Sequence, residues 1–208
     1  MYVKVVDYKT GDKALDLGEL CYGLQMQLVV YMNAALEMQK QKHPDKVVIP
    51  AGIFYYRVKD PIVSKPGAEQ DVDELLLKEL KPDGLVQADE AVLAHLDRDF
   101  VGASYAIPVT RTQSGALSKT SKVLSEADFS TISEFAGKKV EQIKENILDG
   151  DAKIMPYRLG DRTGCDYCPY HAVCGFEETV PGYQYQGLQP LDKEDALAVM
   201  RKEVETWE

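Results

Sequence analysis

Basic residues are in short supply in this chain of 208 residues: 24 lysines and arginines stand against 34 aspartates and glutamates, a net charge of −10. Affinity for nucleic acid comes largely from neutralised phosphates, so this balance argues against a stand-alone DNA-binding module. It does not exclude chemistry on a nucleic acid, because a metal site brings acids of its own and a larger assembly can supply the basic track. No apolar run approaches the roughly 20 residues that span a bilayer. Met1-Tyr2-Val3-Lys4 opens directly into strand-like sequence without a signal-peptide pattern, so a cytoplasmic protein with no membrane partner is expected. Internal repeats, low-complexity tracts and a phosphate-binding G-x-x-x-x-G-K-[ST] loop are all missing, and any ATP hydrolysis must belong to another region or to a partner protein. Cysteine is sparse and uneven: of Cys21, Cys165, Cys168 and Cys174, three lie within ten residues. A disulfide scaffold spreads its cysteines more widely, so the compartment reads as reducing.

What is present fits one globular core. Hydrophobic residues make up 45% and charged residues 28%. Val3 to Lys9 reads as a strand that ends at Thr10-Gly11-Asp12. A helical pattern of Leu20, Leu24, Leu28, Tyr31, Met32, Ala35 and Leu36 predicts a single helix from about Gly18 to Gln41, closed by His43-Pro44-Asp45. Ile49 to Val58 continues the α/β alternation as a second strand. Lys65-Pro66-Gly67 predicts a loop, Asp71 to Leu80 a short helix and Ala88 to Leu96 another. The Ser/Thr/Gly-rich stretch from Tyr105 to Leu124 suits a hairpin or an ordered loop. Ser125 is the expected N-cap of a helix to Leu148, stopped by Asp149-Gly150-Asp151. Residues 180–190 are the candidate linker, and Pro190-Leu191-Asp192 opens a terminal helix to about Trp207.

Chemistry concentrates at two places. The first is Asp7-Tyr8-Lys9. Side chains alternate faces along a strand, so Asp7 and Lys9 project to one side, about 7 Å apart. A carboxylate there can hold a divalent metal while the ammonium stabilises charge developing on a phosphate. Gln27 and Tyr31, one helical turn apart, share a face and can reach toward that strand together. A solvent-facing Gln27 and a packed Tyr31 are the plainer alternative.

The second is Cys165-Asp166-Tyr167-Cys168-Pro169-Tyr170-His171-Ala172-Val173-Cys174, with spacing C-x2-C-x5-C. Two thiolates two residues apart wrap one metal, and a third from the next turn occupies another corner. The fourth ligand stays open. His171 would complete a Cys3His zinc site, whereas Cys21 reads more simply as a small apolar residue of a helix. His43 and His95 have no partner in sequence and are expected at the surface.

Val5-Val6-Asp7-Tyr8-Lys9-Thr10-Gly11 followed by Gln27-x-x-x-Tyr31 resembles the RecB-type branch of the PD-(D/E)XK nucleases. A C-x2-C-x5-C after such a core resembles the AddB-type halves of bacterial AddAB helicase–nucleases, in the stretches from Val5 to Leu36 and from Met155 to Gly175. The resemblance implies an α/β, restriction-endonuclease-like fold missing its N-terminal elements, with a C-terminal cysteine-rich clasp. Residues 1–160 would be a partial nuclease core, 161–180 the iron–sulfur or zinc clasp, and 181–208 a linker and helix. It implies Asp7 and the Tyr8 carbonyl as ligands of Mg²⁺ or Mn²⁺, Lys9 as the catalytic lysine, and Gln27 and Tyr31 as its helix motif. Cys165, Cys168 and Cys174 would be three ligands of a [4Fe–4S] cluster. The implied partners are DNA and the AddA-type helicase–nuclease protein in a heterodimer. The implied role is exonuclease cutting, on the 5′-ended strand, during ATP-driven unwinding in double-strand-break repair. The family's first acid, an upstream metal-binding residue and its first cluster cysteine have no counterpart here. The chain therefore reads as the C-terminal piece of something longer, nearly inactive alone. Residues 60–150 carry no motif. Two other readings stand beside this one: a non-catalytic zinc- or cluster-stapled module that binds DNA or a partner, and a CRISPR-type RecB-like nuclease, against which the missing acid and cysteine count.

Overall fold

The computed structural model describes residues 1–58, 60–63, 71–98 and 100–207. The loop expected at Lys65-Pro66-Gly67 lies outside them. In chain order the elements are β1 (Tyr2–Lys9), α1 (Leu17–Cys21), α2 (Gln27–Lys42), β2 (Ile49–Arg57), α3 (Val72–Glu79), β3 (Asp83–Gln87), α4 (Glu90–Leu96), β4 (Val123–Leu124) and α5 (Glu126–Leu148). They are followed by β5 (Tyr157–Leu159), β6 (Arg162–Thr163), α6 (His171–Cys174), β7 (Gln186–Leu188) and α7 (Lys193–Thr206).

The main sheet has strand order β1-β2-β3-β4. β1 and β2 run parallel, joined by a crossover through α1 and α2, and their register sets Asp7 opposite Tyr55 and Lys9 opposite Arg57. β3 is antiparallel to β2, and β4 parallel to β3. Both faces are covered, which is why β2 reads as a nearly continuous apolar run. One face buries Val5, Ile53 and Leu85 under α1, α2, α5 and α7; the other buries Phe54 and Val86 against Leu93 of α4 and Ile107 and Val109 of the ordered loop. Burying a side chain of this size stabilises by about 1.5–3 kcal/mol, so these two layers hold the sheet rigid under the site.

The mixed α/β architecture agrees with the sequence, and one expected helix does not hold. The single helix predicted from Gly18 to Gln41 is two helices. Gly23 adopts φ +79°, a left-handed conformation that ends α1 and that a side chain would strain. Gln25, buried in the break, donates to Glu19 Oε2 (2.8 Å) and accepts from the Asp16 amide (3.3 Å), so the turn is held in place. β3 starts at Asp83-Gly84, in a stretch where no strand was expected. Gly84 is needed where it stands: a β-carbon there would run into the Ile53 carbonyl of β2.

The helix caps follow the sequence. Ser125 and Asp128 form a reciprocal capping box at the start of α5, and Asp192 caps α7 by accepting from the Asp195 amide. The Tyr105–Leu124 stretch is an ordered loop pinned by Ser104 and Ser121, whose hydroxyls accept from the amides of Ile107 (3.1 Å) and Thr110 (2.9 Å). Within the stretch expected to be a linker, Gln186–Leu188 pairs in parallel with β5, giving a second sheet of order β6-β5-β7.

Candidate active site

Asp7 and Lys9 lie on the α2-facing side of β1, as strand alternation requires, with the Lys9 ammonium 2.7 Å from Asp7 Oδ2. Because α2 begins at Gln27, that residue's amide meets the end of β1. Lys9 Nζ donates to Gln27 Oε1 (2.9 Å), and Gln27 Nε2 donates to Tyr31 Oη (3.1 Å). The four residues singled out from sequence thus form one connected chain, Asp7–Lys9–Gln27–Tyr31. The hydrogen bond and charge of Asp7 raise the Lys9 pKa above its ordinary value against the opposing effect of burial. The Lys9 ammonium also lies 5.5 Å from the centroid of the buried Tyr55 ring.

Asp7 Oδ2 is buried and, apart from its ion pair with Lys9, meets no hydrogen-bond donor among the described residues. A buried carboxylate oxygen without a donor is costly unless a cation satisfies it. β1 is also an edge strand among the described residues. The Lys9 carbonyl accepts from Val58 N (2.9 Å) toward β2. Successive carbonyls point to opposite sides of a strand, so that of Tyr8 points to the unpaired edge. The Tyr8 side chain lies on the other sheet face, 68% exposed and edge-on to Tyr56. Two hard oxygen donors, Asp7 Oδ2 and the Tyr8 carbonyl, therefore suit Mg²⁺ or Mn²⁺ in kind. They are two ligands: among the described residues no three His, Cys, Asp or Glu side chains converge as a metal site.

That statement covers the cysteines too. Cys165 and Cys168 are joined by a turn in which Cys168 N donates to the Cys165 carbonyl (3.2 Å), and Thr163 Oγ1 accepts from Cys165 N (3.2 Å). Cys174 ends α6. All three are free and half-buried. The donors are right in kind for a soft metal or a cluster, but the chain does not gather them into a site. His171 is exposed at the start of α6, and Cys21 is buried in the core, where burial pushes its thiol pKa up. His95 is exposed and His43 half-exposed.

The sequence did not reveal the surroundings of Lys9. Two hollows flank the Thr10–Ala14 loop. One, of about 790 Å³, runs from Lys9 to Tyr157 and Arg162; the other, of about 290 Å³, is lined by Lys9, Lys13, Tyr55, Arg57 and Lys81 among others. Tyr55 and Arg57 share the face of Asp7 and Lys9, so alternation would have found them once the β1–β2 pairing was known. Lys13 and Lys81 sit in loops and carry no such signal. Arg162 of β6 pairs with Glu19, tying the small sheet to the turn that positions α2. Burial works to raise the Glu19 pKa, but its hydrogen bonds from Arg162 and Gln25 outweigh this and lower it.

Comparison with known proteins gives the family. The model of the PD-(D/E)XK nuclease superfamily matches residues 1–175. The B subunit of the ATP-dependent helicase/deoxyribonuclease of Lachnoclostridium phytofermentans is 38% identical over 214 residues, which cover 99% of this chain and 18% of that protein. Proteins of the same name from Thermoanaerobacter sp. (strain X514) and Alkaliphilus oremlandii are 35% and 38% identical, each over 98% of this chain and 18% of the relative. The chain thus spans about a fifth of the length of these curated relatives.

Proposed function

The chain belongs to the PD-(D/E)XK nuclease superfamily, and on that premise we propose that its Asp7–Lys9 site cleaves DNA phosphodiesters, as the nuclease region of an AddB-type helicase–deoxyribonuclease protein. The observation that carries this is the connected chain Asp7–Lys9–Gln27–Tyr31, in which the buried Asp7 Oδ2 meets the Lys9 ammonium and no other donor among the described residues. A Mg²⁺ or Mn²⁺ ion held by Asp7 and the Tyr8 carbonyl would supply Lewis acidity at the phosphate and lower the pKa of the attacking water. Lys9 places its ammonium where negative charge grows on the phosphate oxygens, and stays protonated because Asp7 faces it. Gln27 fixes the lysine rotamer, and Tyr31 fixes Gln27. This ordering of donors before substrate arrives is what lowers the barrier.

In the same reading, an AddA-type protein is the heterodimer partner, unwinding is driven by ATP elsewhere in the complex, and the work is double-strand-break repair on the 5′-ended strand. The relatives' name supports a helicase–nuclease setting. We assign Cys165, Cys168 and Cys174 as three ligands of a [4Fe–4S] cluster, on the strength of their soft donors and spacing; zinc with His171 is the competing occupant.

The test is a graded series in the full-length protein, scored for Mg²⁺-dependent DNA cleavage and for unwinding. Asp7→Ala and Lys9→Ala should each cost several orders of magnitude in cleavage and leave unwinding intact. Gln27→Leu removes one charge-assisted hydrogen bond and should cost about tenfold. Unwinding lost together with cleavage would make these residues structural. Vigorous cleavage by the 208-residue chain alone would show that two described metal ligands suffice.

A further inference from the structure

The smaller hollow beside Lys9 holds more positive charge than its acids neutralise. Its cations are Lys9, Lys13, Arg57 and Lys81, and its acids Asp12, Glu79 and Asp83. Arg57 pairs with Asp12 at 2.8 Å. Asp83 is engaged twice, by Lys122 and by the Leu15 amide (2.7 Å). Glu79 stands exposed at the end of α3. That leaves Lys13 and Lys81 without a salt bridge among the described residues, although the Glu19 carboxylate lies within electrostatic reach of Lys13. The two differ in setting. Lys13 is exposed and reaches over the Tyr55 ring, 5.8 Å from its centroid. Lys81 is half-buried just before Pro82, and burial with no neighbouring acid holds its pKa below the ordinary lysine value. A desolvated, unpaired ammonium beside a cleft is a group that gains from meeting an anion.

The same hollow shares Lys9 with the Asp7 site, so an anion in it lies one step along any strand whose phosphate reaches Lys9. Its volume of about 290 Å³ is at the lower end for small-molecule sites, enough for one nucleotide unit. Its cations lie on loops and on one sheet face around the buried Tyr55, which suits contact with the phosphates of a single strand.

We propose that Lys81, with Lys13, forms a phosphate-holding subsite that grips the phosphodiester next to the one being cut and so sets the register of a single DNA strand in the site. The proposal rests on the nuclease reading above. Lys81 is a positioning residue and touches no reacting atom. Its contacts are to backbone phosphate, so the effect is uniform across sequences.

The experiment compares full-length wild-type protein with Lys81→Met, Lys81→Arg and Lys13→Met, on single-stranded oligonucleotides in Mg²⁺. A second substrate carries one uncharged methylphosphonate beside the cleaved linkage. Lys81→Met should raise KM about tenfold with kcat nearly unchanged. It should also reduce the salt dependence of binding by about one counterion. Lys13→Met should do the same more weakly, and Lys81→Arg should restore wild-type values. The methylphosphonate should cost wild type the same factor and cost Lys81→Met nothing further. An unchanged KM and salt dependence in Lys81→Met, or an equal methylphosphonate penalty in both proteins, overturns the subsite. Asp7→Asn run alongside separates the two ideas: cleavage that survives it defeats the nuclease reading, whereas cleavage lost with Lys81→Met silent defeats the subsite alone.

Discussion

The half of the molecule built from β1, α2 and β2 and the stretch from Tyr157 to Leu188 carry comparable densities of chemically active residues and order them very differently. In the first, a strand ladder and a core beneath it fix Asp7, Lys9, Gln27 and Tyr31 into one hydrogen-bonded chain. In the second, Phe176 is the one buried residue, held by Tyr183 and Tyr185 with ring centroids 5.6 and 4.8 Å away. Its secondary structure is three very short strands and one turn of helix. The buried core under β1 and α2 fixes the backbone of the first site before any ligand arrives, while its side-chain chain lies at the surface. The second has too little buried surface to do so, and were its thiols to hold the metal proposed for them, binding and local folding would be one free energy.

The largest expected effect tests that dependence. In the full-length protein, Cys165→Ser, Cys168→Ser and Cys174→Ser should each drop bound iron to background, read by metal analysis and by absorption near the cluster's visible band. They should also lower the melting temperature and DNA-end affinity. Full iron in any of the three variants removes that cysteine from the ligand set. Iron lost with melting and affinity unchanged would mean that the knuckle is not held together by its metal.

A smaller effect tests the contrast in burial directly. Phe135 of α5 is fully buried in the main core, so Phe135→Ala should cost about 3–5 kcal/mol in denaturant unfolding. Phe176→Ala should leave that transition in place and speed amide exchange only in the 157–188 stretch. Equal global destabilisation by both would merge the two regions into one cooperative unit.

The smallest expected effect lies at the capping box of α5. Burial works to raise the Asp128 pKa, but its hydrogen bonds from Ser125 and the pairing with Arg201 outweigh this and lower it below the ordinary aspartate value. A carboxylate lowered on folding contributes stability that is present above its unfolded pKa and is lost as pH falls through the folded value. Asp128→Ala should cost about 1 kcal/mol at neutral pH and flatten the acid limb of the stability curve below about pH 4. Wild type and variant titrating in parallel through that limb would rule out the assignment.

Legibility in the sequence followed the range of the interactions. The strand under Asp7 and Lys9, the Ser125 cap and the α/β alternation were readable because each depends on residues a few positions apart. The break at Gly23 was not, since the leucine pattern runs across it and only the buried Gln25 network shows why the helix stops. β3 was hidden because a glycine that clears the Ile53 carbonyl has no local signature.

By itself the sequence determined that Asp7 and Lys9 share a face, because side chains on a strand repeat every two residues. It also determined that Gln27 and Tyr31 share one, because a helix repeats in under four. That the two pairs meet, that Asp7 Oδ2 is left with the Lys9 ammonium alone, and that Lys81 shares a hollow with Lys9 and has no salt bridge among the described residues were decided only by the tertiary structure. Lys9 meets a glutamine 18 positions away and shares its hollow with a lysine 72 positions away, and what a side chain lacks depends on every element packed around it.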